Sequence, residues 1–230
     1  MKKAVISPSL LCADLSRARD EVLAVAQAGA DRLHLDIMDG HFVPNLSFGP
    51  ALVAALRPVV RLPFDAHLMV SDPAAWIAPF LKAGVDSVTI HVEATDSNGL
   101  ITALSRIREQ GAEAGVALNP SSTAQVLEPI LGFVDRILIM TVEPGFGGQG
   151  FLPEQLPKIR AIREMIDQRG LRTKLTVDGG ITPETGLLAC ESGVDELVAG
   201  TAIFRHGPQG YGDAIERLAR CGRGFSMDED

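Results

Sequence analysis

Short runs of apolar, β-branched residues recur along the chain and alternate with longer segments in which apolar residues have helical spacing. Such runs, when bounded by turn residues, predict strands. The eight predicted strands are residues 5–10, 32–38, 64–69, 87–92, 113–118, 136–141, 174–178 and 196–199. Asp72-Pro73 and Thr182-Pro183 each predict a helix start, with an N-cap followed by proline at the first helical position.

A junction of one type occurs three times, at Gly29, Gly84 and Gly193. Each glycine ends a segment of helical spacing and is followed by alanine or valine, by aspartate and by a β-rich run. Glycine just after a helix is typical of the left-handed conformation. Eight strands alternating with helices in 230 residues predict a (β/α)₈ TIM barrel. An open doubly wound sheet is the alternative, but no Gly-x-Gly-x-x-Gly motif follows the first strand.

Composition agrees with one globular domain, which we expect over residues 1–224, with residues 225–230 as a disordered acidic tail. Hydrophobic content of 46% with 22% charged residues is ordinary for such a domain. The net charge of −8 disfavours nucleic acid and anionic membranes as partners, since both need a basic surface. A phosphorylated small molecule is compatible with this charge, because backbone N–H groups can bind phosphate.

The sequence also predicts a cytoplasmic location. Cys12, Cys190 and Cys221 are far apart and lack metal-type spacing, which is typical of thiols in a reducing compartment. The N-terminal residues turn polar too soon for a signal peptide. No apolar run approaches the roughly 20 residues of a membrane span.

Polar residues and methionines alternate with apolar residues in the second and third predicted strands, so each set shares one face. The polar-face residues are His34, Asp36 and Met38 in the second strand and Asp65, His67 and Met69 in the third. In a barrel the apolar face packs against the helices, so the polar face lies in the lumen. Asp178 ends the seventh strand and is expected at the same end of the barrel.

His34, Asp36, His67 and Asp178 form a candidate metal site, since imidazole and carboxylate together suit Zn²⁺, Fe²⁺, Mn²⁺ or Co²⁺. Each alone could be a hydrogen-bonded core residue. Four such groups in one lumen favour a cation, because buried unpaired charges are costly. No carboxylate partner is assigned to His91, at the end of the fourth strand, and a structural role is predicted for it.

Glycine-rich segments follow the last three predicted strands and predict a phosphate site. They are residues 143–150, Gly179-Gly180 and Gly200-Thr201. Glycine lets main-chain N–H groups approach an anion without a Cβ in the way. Barrels often bind phosphate at the loops after these strands.

These segments resemble the ribulose-phosphate 3-epimerase family. The longest similar segment is His-Leu-Asp-Ile-Met-Asp-Gly-His-Phe-Val-Pro-Asn, at residues 34–45. The others are residues 6–11, 67–70, 140–149, 177–181 and 199–204. The resemblance implies a barrel that interconverts D-ribulose 5-phosphate and D-xylulose 5-phosphate in pentose-phosphate metabolism, through a metal-stabilised enediolate.

The resemblance also implies a role for each site residue. Asp36 and Asp178 would be the catalytic acid/base pair, and His34, Asp36, His67 and Asp178 would bind one divalent ion, with Zn²⁺ the first choice. The implied substrate-binding residues are Ser9, Met38, His67, Met69, Met140, Gly145, Phe146, Gly147, Gly148, Asp178, Gly179, Gly180, Gly200 and Thr201. Family members commonly have serine where Thr201 stands, and threonine keeps the hydroxyl. A homo-oligomer is implied as well.

Three other functions are alternatives to this one. A 3-epimerase of a hexulose phosphate, such as allulose 6-phosphate, shares most of these motifs. A non-catalytic sugar-phosphate-binding barrel would not need two carboxylates at the reacting carbon. Related decarboxylases carry Asp-x-Lys-x-x-Asp after the equivalent strand, whereas this chain has Asp36-Ile37-Met38-Asp39 without the lysine. The sequence leaves open the native metal, the oligomeric state, the pathway and how one metal-bound carboxylate keeps a proton.

Overall fold

The computed structural model describes residues 3–222. The tail predicted at residues 225–230, and the last two residues of the predicted domain, lie outside the described part of the chain.

All eight predicted strands are present, with ends that differ from the predicted ones by at most two residues. They are β1 (Val5–Pro8), β2 (Leu33–Met38), β3 (Phe64–Met69), β4 (Ser87–His91), β5 (Glu113–Leu118), β6 (Arg136–Met140), β7 (Lys174–Asp178) and β8 (Glu196–Ala199). The α-helices of the described chain are α1 (Ala18–Gln27), α2 (Pro50–Leu56), α3 (Pro73–Ala83), α4 (Ser97–Glu109), α5 (Leu156–Gln168), α6 (Pro183–Glu191), α7 (Thr201–Phe204) and α8 (Gly207–Ala219).

The strands form one parallel sheet that curves into a nearly closed barrel. Their order is β1-β8-β7-β6-β5-β4-β3-β2, so each strand from β2 to β7 pairs with the next in the chain and β8 pairs with β1. An isolated parallel bridge between Ser9 and His34 joins the end of β1 to β2. The carbonyl oxygen of Ile6 also accepts the N–H of Asp31 at 3.0 Å. The prediction of a single-domain (β/α)₈ TIM barrel is confirmed.

The segment between β5 and β6 departs from the predicted alternation. In the described chain it contains two 3₁₀ turns, Ala124–Leu127 and Leu131–Phe133, in place of an α-helix. Pro129 has no N–H to donate and Gly132 has low helix propensity, so a continuous helix is disfavoured here.

The predicted signals for helix ends are confirmed where they were assigned. The side chain of Asp72 accepts the N–H of Ala75 at the start of α3. Thr182 forms a reciprocal capping box with Thr185 at the start of α6. The three junction glycines have φ values of 95° at Gly29, 97° at Gly84 and 118° at Gly193.

Alternation in β2 separates an outer apolar face from an inner polar face. Leu33, Leu35 and Ile37 are buried in the main hydrophobic core with residues of the surrounding helices. His34 and Asp36 point to the opposite side and are also buried, with 0% and 3% of their surfaces exposed. The fold therefore brings ionisable side chains into the lumen, where they need polar partners.

Among the described residues, no helix has both the length and the apolar character needed to cross a lipid bilayer.

Candidate active site

The register of the barrel brings polar side chains of three strands together. His34 of β2 is level with Asp65 of β3, and Asp36 is level with His67. Asp178 is the last residue of β7. The side chains of Asp36 and Asp178 meet the two imidazoles inside the lumen. Alternation in the sequence predicted this place for His34, Asp36 and His67, and the position of Asp178 at a strand end predicted it for that residue.

Four donor atoms, one each from His34, Asp36, His67 and Asp178, lie within 4.8 Å of one another. His34 Nε2 is 3.3 Å from Asp36 Oδ1, 3.4 Å from His67 Nδ1 and 3.6 Å from Asp178 Oδ2. His67 Nδ1 is 3.1 Å from Asp36 Oδ1 and 3.8 Å from Asp178 Oδ2.

These separations fit the ligands of one divalent cation. Bonds of about 2.0–2.1 Å to a tetrahedral Zn²⁺ separate neighbouring ligand atoms by about 3.3 Å. Two imidazoles and two carboxylates suit Zn²⁺, Fe²⁺, Mn²⁺ or Co²⁺. Since such a cation would also neutralise carboxylates that are removed from water, the cluster is a potential metal-binding site.

The two carboxyl groups of the cluster have opposite pKa shifts. Burial and the negative charge of Asp36 raise the pKa of Asp178 to about 7. Burial also acts to raise the pKa of Asp36, but the charge of His34 and hydrogen bonds from His34 and His67 bring it below its ordinary value. Burial opposes the charged form of His34, yet the carboxylates around it raise its pKa well above the usual value. In the metal-free cluster one carboxyl group can therefore retain a proton while the other is ionised, which is the starting state of an acid/base pair.

Asp65 lies behind His34 and outside the four-donor cluster. His34 Nδ1 donates to Asp65 Oδ2 at 3.0 Å, and Ser87 Oγ donates to Asp65 Oδ1 at 2.6 Å. Burial acts to raise the pKa of Asp65, but the hydrogen bond from His34 and the charge of buried Arg136 lower it. When the His34 ring is neutral, an ionised Asp65 directs its one proton to Nδ1 and leaves the lone pair of Nε2 facing the cluster.

His91 has a carboxylate partner that sequence reasoning missed. His91 Nδ1 lies 3.0 Å from Glu93 Oε2, and its other ring nitrogen lies 2.8 Å from His67 Nε2. Burial lowers the pKa of His91 to about 4, so the ring is neutral at pH 7. The sequence shows that Glu93 is two residues after His91, but it does not show in which direction the Glu93 side chain points. The contact could therefore be predicted only in part.

A cavity of about 530 Å³ opens beside the cluster at the C-terminal ends of the strands. The predicted residues that line it are Ser9, Asp36, Met38, Met69, Met140, Gly145, Phe146, Gly147, Gly148, Asp178, Gly179, Gly180, Gly200 and Thr201. His67 is the exception among the predicted substrate-binding residues: it contributes to the donor cluster and does not line the cavity.

The glycine-rich loops form one side of the cavity. Gly180 has φ of 65°, and a Cβ there would collide with the backbone of Phe151, so glycine is required for both conformation and packing. Among the described lining residues there is no lysine or arginine. A phosphate in this part of the cavity would therefore depend on backbone N–H groups and the Thr201 hydroxyl for its hydrogen bonds.

The loop after β6 is held by two amide side chains that sequence reasoning did not single out. Gln149 Nε2 donates to the carbonyl oxygens of Glu143 at 2.6 Å and Phe146 at 2.9 Å. Asn45 Nδ2 donates to the carbonyl oxygen of Gly145 at 2.8 Å. Further lining residues that were not predicted are Leu11, Cys12, Val142, Pro144, Gln149, Ile181 and Val198.

Asp39 is another residue whose role was missed. Its Oδ1 accepts the N–H groups of His41 at 2.8 Å and Phe42 at 2.9 Å, which orders the loop after β2. Its Oδ2 accepts the N–H and hydroxyl of Ser71, at 2.8 Å and 2.7 Å, which links this loop to the loop after β3. Aspartate before glycine is a common turn signal, and it could have identified this role.

Solved structures of low identity share the fold. KGPDC from Streptococcus mutans aligns with a TM-score of 0.72 at 18% identity, covering 97% of this chain and 100% of that one. A mutant tryptophan synthase α-subunit from Pyrococcus furiosus aligns with a TM-score of 0.67 at 15% identity, covering 95% and 98% of the two chains.

Sequence relatives are much more similar. The ribulose-phosphate 3-epimerase of Synechocystis sp. is 48% identical over 214 residues, which cover 93% of this chain and 92% of that protein. The ribulose-phosphate 3-epimerase of Bacillus subtilis is 46% identical over 200 residues, which cover 86% and 91% of the two proteins. The description of the ribulose-phosphate 3 epimerase family matches residues 5–204. The chain is therefore an enzyme that belongs to the ribulose-phosphate 3-epimerase family.

Proposed function

We propose that the enzyme converts D-ribulose 5-phosphate to D-xylulose 5-phosphate by epimerisation at C3, with a divalent cation bound at the donor cluster. The observation that carries the proposal is the meeting of Asp36 and Asp178 in one buried cluster beside a cavity with glycine-rich walls. The names of relatives with 46–48% identity support the choice of substrate.

His34, Asp36, His67 and Asp178 would bind the cation through the four atoms that face one another. When bound, the cation supplies Lewis-acid stabilisation of the negative charge that develops on the substrate oxygens as C3 loses its proton. Each carboxylate turns one oxygen to the cluster, so its second oxygen is available for another contact. In Asp36 that second oxygen, Oδ2, accepts a hydrogen bond from Ser9 Oγ at 2.6 Å.

Asp36 and Asp178 are the two proton-transfer groups of the reaction. One ionised carboxylate removes the C3 proton from one face of the sugar, and the other carboxyl group delivers a proton to the opposite face. In the metal-free protein Asp36 has a lowered pKa and Asp178 a raised one, so the two carboxyl groups differ in protonation before a cation binds. The two residues exchange roles when the reaction runs in the other direction.

The remaining cavity residues bind and shield the substrate. Met38, Met69 and Met140 are buried side chains that line the cavity next to the carboxylates, and they would exclude water from the reacting carbon. The glycine-rich walls would bind the phosphate and so fix the distance between the phosphate and C3.

The proposal is tested by incubating the protein with D-ribulose 5-phosphate in D₂O and following C3 by NMR. We expect D-xylulose 5-phosphate that carries solvent deuterium at C3. Asp36→Asn and Asp178→Asn should each lower turnover by about 10²–10⁴-fold, because each removes a proton-transfer group. Asp213→Asn, at an exposed position of α8, is the matched control and should retain activity. Product formation without solvent deuterium would exclude the two-carboxylate exchange.

The location, the oligomeric state and the partners of the enzyme are also proposed. We expect the enzyme in the cytoplasm as a homo-oligomer that uses a phosphorylated ketose and neither nucleic acid nor membrane as its partner. Light scattering on the purified protein measures the oligomeric state, and a monomer at micromolar concentration would contradict this expectation.

A further inference from the structure

A chain of hydrogen bonds leads from the donor cluster to a loop at the C-terminal end of the barrel. His67 Nε2, the ring nitrogen that points away from the cluster, is 2.8 Å from His91 Nε2. His91 Nδ1 is 3.0 Å from Glu93 Oε2. The other oxygen of Glu93 accepts the N–H of Asn119 at 2.8 Å and the hydroxyl of Ser122.

The chemistry of these groups permits one arrangement of protons when His67 acts as a ligand. His67 Nδ1 needs a free lone pair for a cation, so the proton of the neutral ring is on Nε2. That N–H needs an acceptor, which His91 Nε2 supplies only if the His91 proton is on Nδ1. The Nδ1–H then donates to Glu93, which as a carboxylate can only accept. The state of Glu93 thus fixes the tautomer of His91, and His91 fixes the tautomer of His67.

Packing restricts the rings to this geometry. His91 is fully buried, and its ring meets the His67 ring edge to edge, with centroids 5.0 Å apart and an interplanar angle of 25°. Phe42 covers His91 with ring centroids 4.8 Å apart. Glu93 lies in the 3₁₀ turn Val92–Ala94 directly after β4, and its contacts with the loop after β5 limit its movement.

We propose that His91 and Glu93 are positioning residues for the metal site, which hold His67 with Nδ1 unprotonated and directed at the cation. This inference rests on the proposed function, because it concerns the same donor cluster. Asp65 contacts His34 directly, whereas Glu93 acts on His67 through an intervening imidazole. Groups that orient a metal-binding histidine in this way commonly change metal affinity by about 10- to 100-fold when they are removed.

Two substitutions of His91 separate positioning from packing. His91→Phe keeps a planar ring against Phe42 but removes both ring nitrogens. His91→Gln loses the ring but can accept from His67 through its amide oxygen and donate to Glu93 through its amide nitrogen. A packing role predicts that phenylalanine is the better replacement, whereas a positioning role predicts that glutamine is.

The experiment measures Zn²⁺ affinity by competition with a chromophoric chelator. We expect His91→Phe to weaken binding by about 10- to 100-fold, Glu93→Ala by about 3- to 10-fold, and His91→Gln by less than about threefold. His206→Phe, the same replacement at an exposed histidine, is the matched control and should bind as the wild type does. Binding at the wild-type level by His91→Phe or Glu93→Ala would overturn the proposal, as would weaker binding by His91→Gln than by His91→Phe.

A spectroscopic measurement reports the tautomer directly. In the Zn²⁺-loaded wild type, the ¹⁵N shifts of the His67 ring should identify Nδ1 as the metal-bound nitrogen and Nε2 as the protonated one. Metal bound through Nε2 would overturn the assignment. If the wild type binds no divalent cation, the proposed metal site itself fails. If the wild type binds and all variants bind equally, only the positioning role fails.

Discussion

Replacement of Asp178 by asparagine should have opposite effects on catalysis and on stability. Asparagine has nearly the same size as aspartate, so the side chain can remain 3.6 Å from His34 Nε2 and 3.8 Å from His67 Nδ1. It cannot exchange a proton with C3 at neutral pH. Turnover at saturating metal should fall by about 10²–10⁴-fold, equivalent to about 2.7–5.4 kcal/mol of transition-state stabilisation.

The metal-free form of the same variant should unfold at a higher temperature than the metal-free wild type above neutral pH. Burial and the charge of Asp36 raise the pKa of Asp178 from 3.8 to about 7, so the folded state resists ionisation of this group. The folded protein binds more protons than the unfolded chain between these pKa values, so this group makes stability fall as pH rises through that window. A shift of about three units corresponds to about 4 kcal/mol. Water reaches the 15% of the side chain that is exposed and weakens this effect. We therefore expect the free energies of unfolding of the variant and the wild type to differ by about 1–3 kcal/mol.

Thermal unfolding of both proteins, measured with excess chelator from about pH 4 to about pH 8, tests the stability effect. The two unfolding temperatures should agree at the acidic end and separate as the pH rises, with the variant above the wild type. Steady-state assays of the same preparations with added metal test the catalytic effect. The reasoning fails if the variant is less stable at about pH 8, or if it keeps more than about a tenth of wild-type turnover.

Three further predictions concern the cavity and the cluster. Gly180→Ala should raise KM for the phosphorylated substrate more than it lowers kcat, because a Cβ would displace the loop that faces the phosphate; an unchanged KM would contradict that position for the phosphate. Ser9→Ala removes the hydrogen bond to Asp36 Oδ2 and should lower kcat/KM by about 5- to 100-fold, corresponding to about 1–3 kcal/mol, without loss of bound metal. Equal activity of the variant and the wild type in a coupled assay would refute a role for this contact. Zn²⁺ affinity should decrease as pH falls through about 7, because the raised pKa values of His34 and Asp178 let protons compete with the cation. Calorimetry that detects no proton release when Zn²⁺ binds would contradict this competition.

The part of the site that could be predicted lies on regular strands. His34 and Asp36, like His67 in β3, alternate with apolar residues, so a two-residue period was enough to place them in the lumen. The barrel itself followed from the repeated helix-to-strand junctions, because each junction glycine has the left-handed conformation that ends a helix.

The contacts that could not be predicted depend on loop conformation. Glu93 reaches His91 because a 3₁₀ turn follows β4 directly, and no periodic pattern specifies which way that turn directs a side chain. Asn45 and Gln149 lie in segments similar to the family motifs. The hydrogen bond from Asn45 depends on two loops meeting above the barrel, and those from Gln149 depend on how the loop after β6 folds back on itself. The two 3₁₀ turns before β6 were predicted as a helix, although Pro129 argues against one.

The most direct test of the account is to locate the metal. Crystals of the protein prepared with Zn²⁺ should show one strong anomalous peak inside the barrel, about 2.0–2.2 Å from His34 Nε2, His67 Nδ1 and one carboxylate oxygen each of Asp36 and Asp178. A peak at any other position, or none at full Zn²⁺ saturation, would contradict the claim that these four side chains form the metal site.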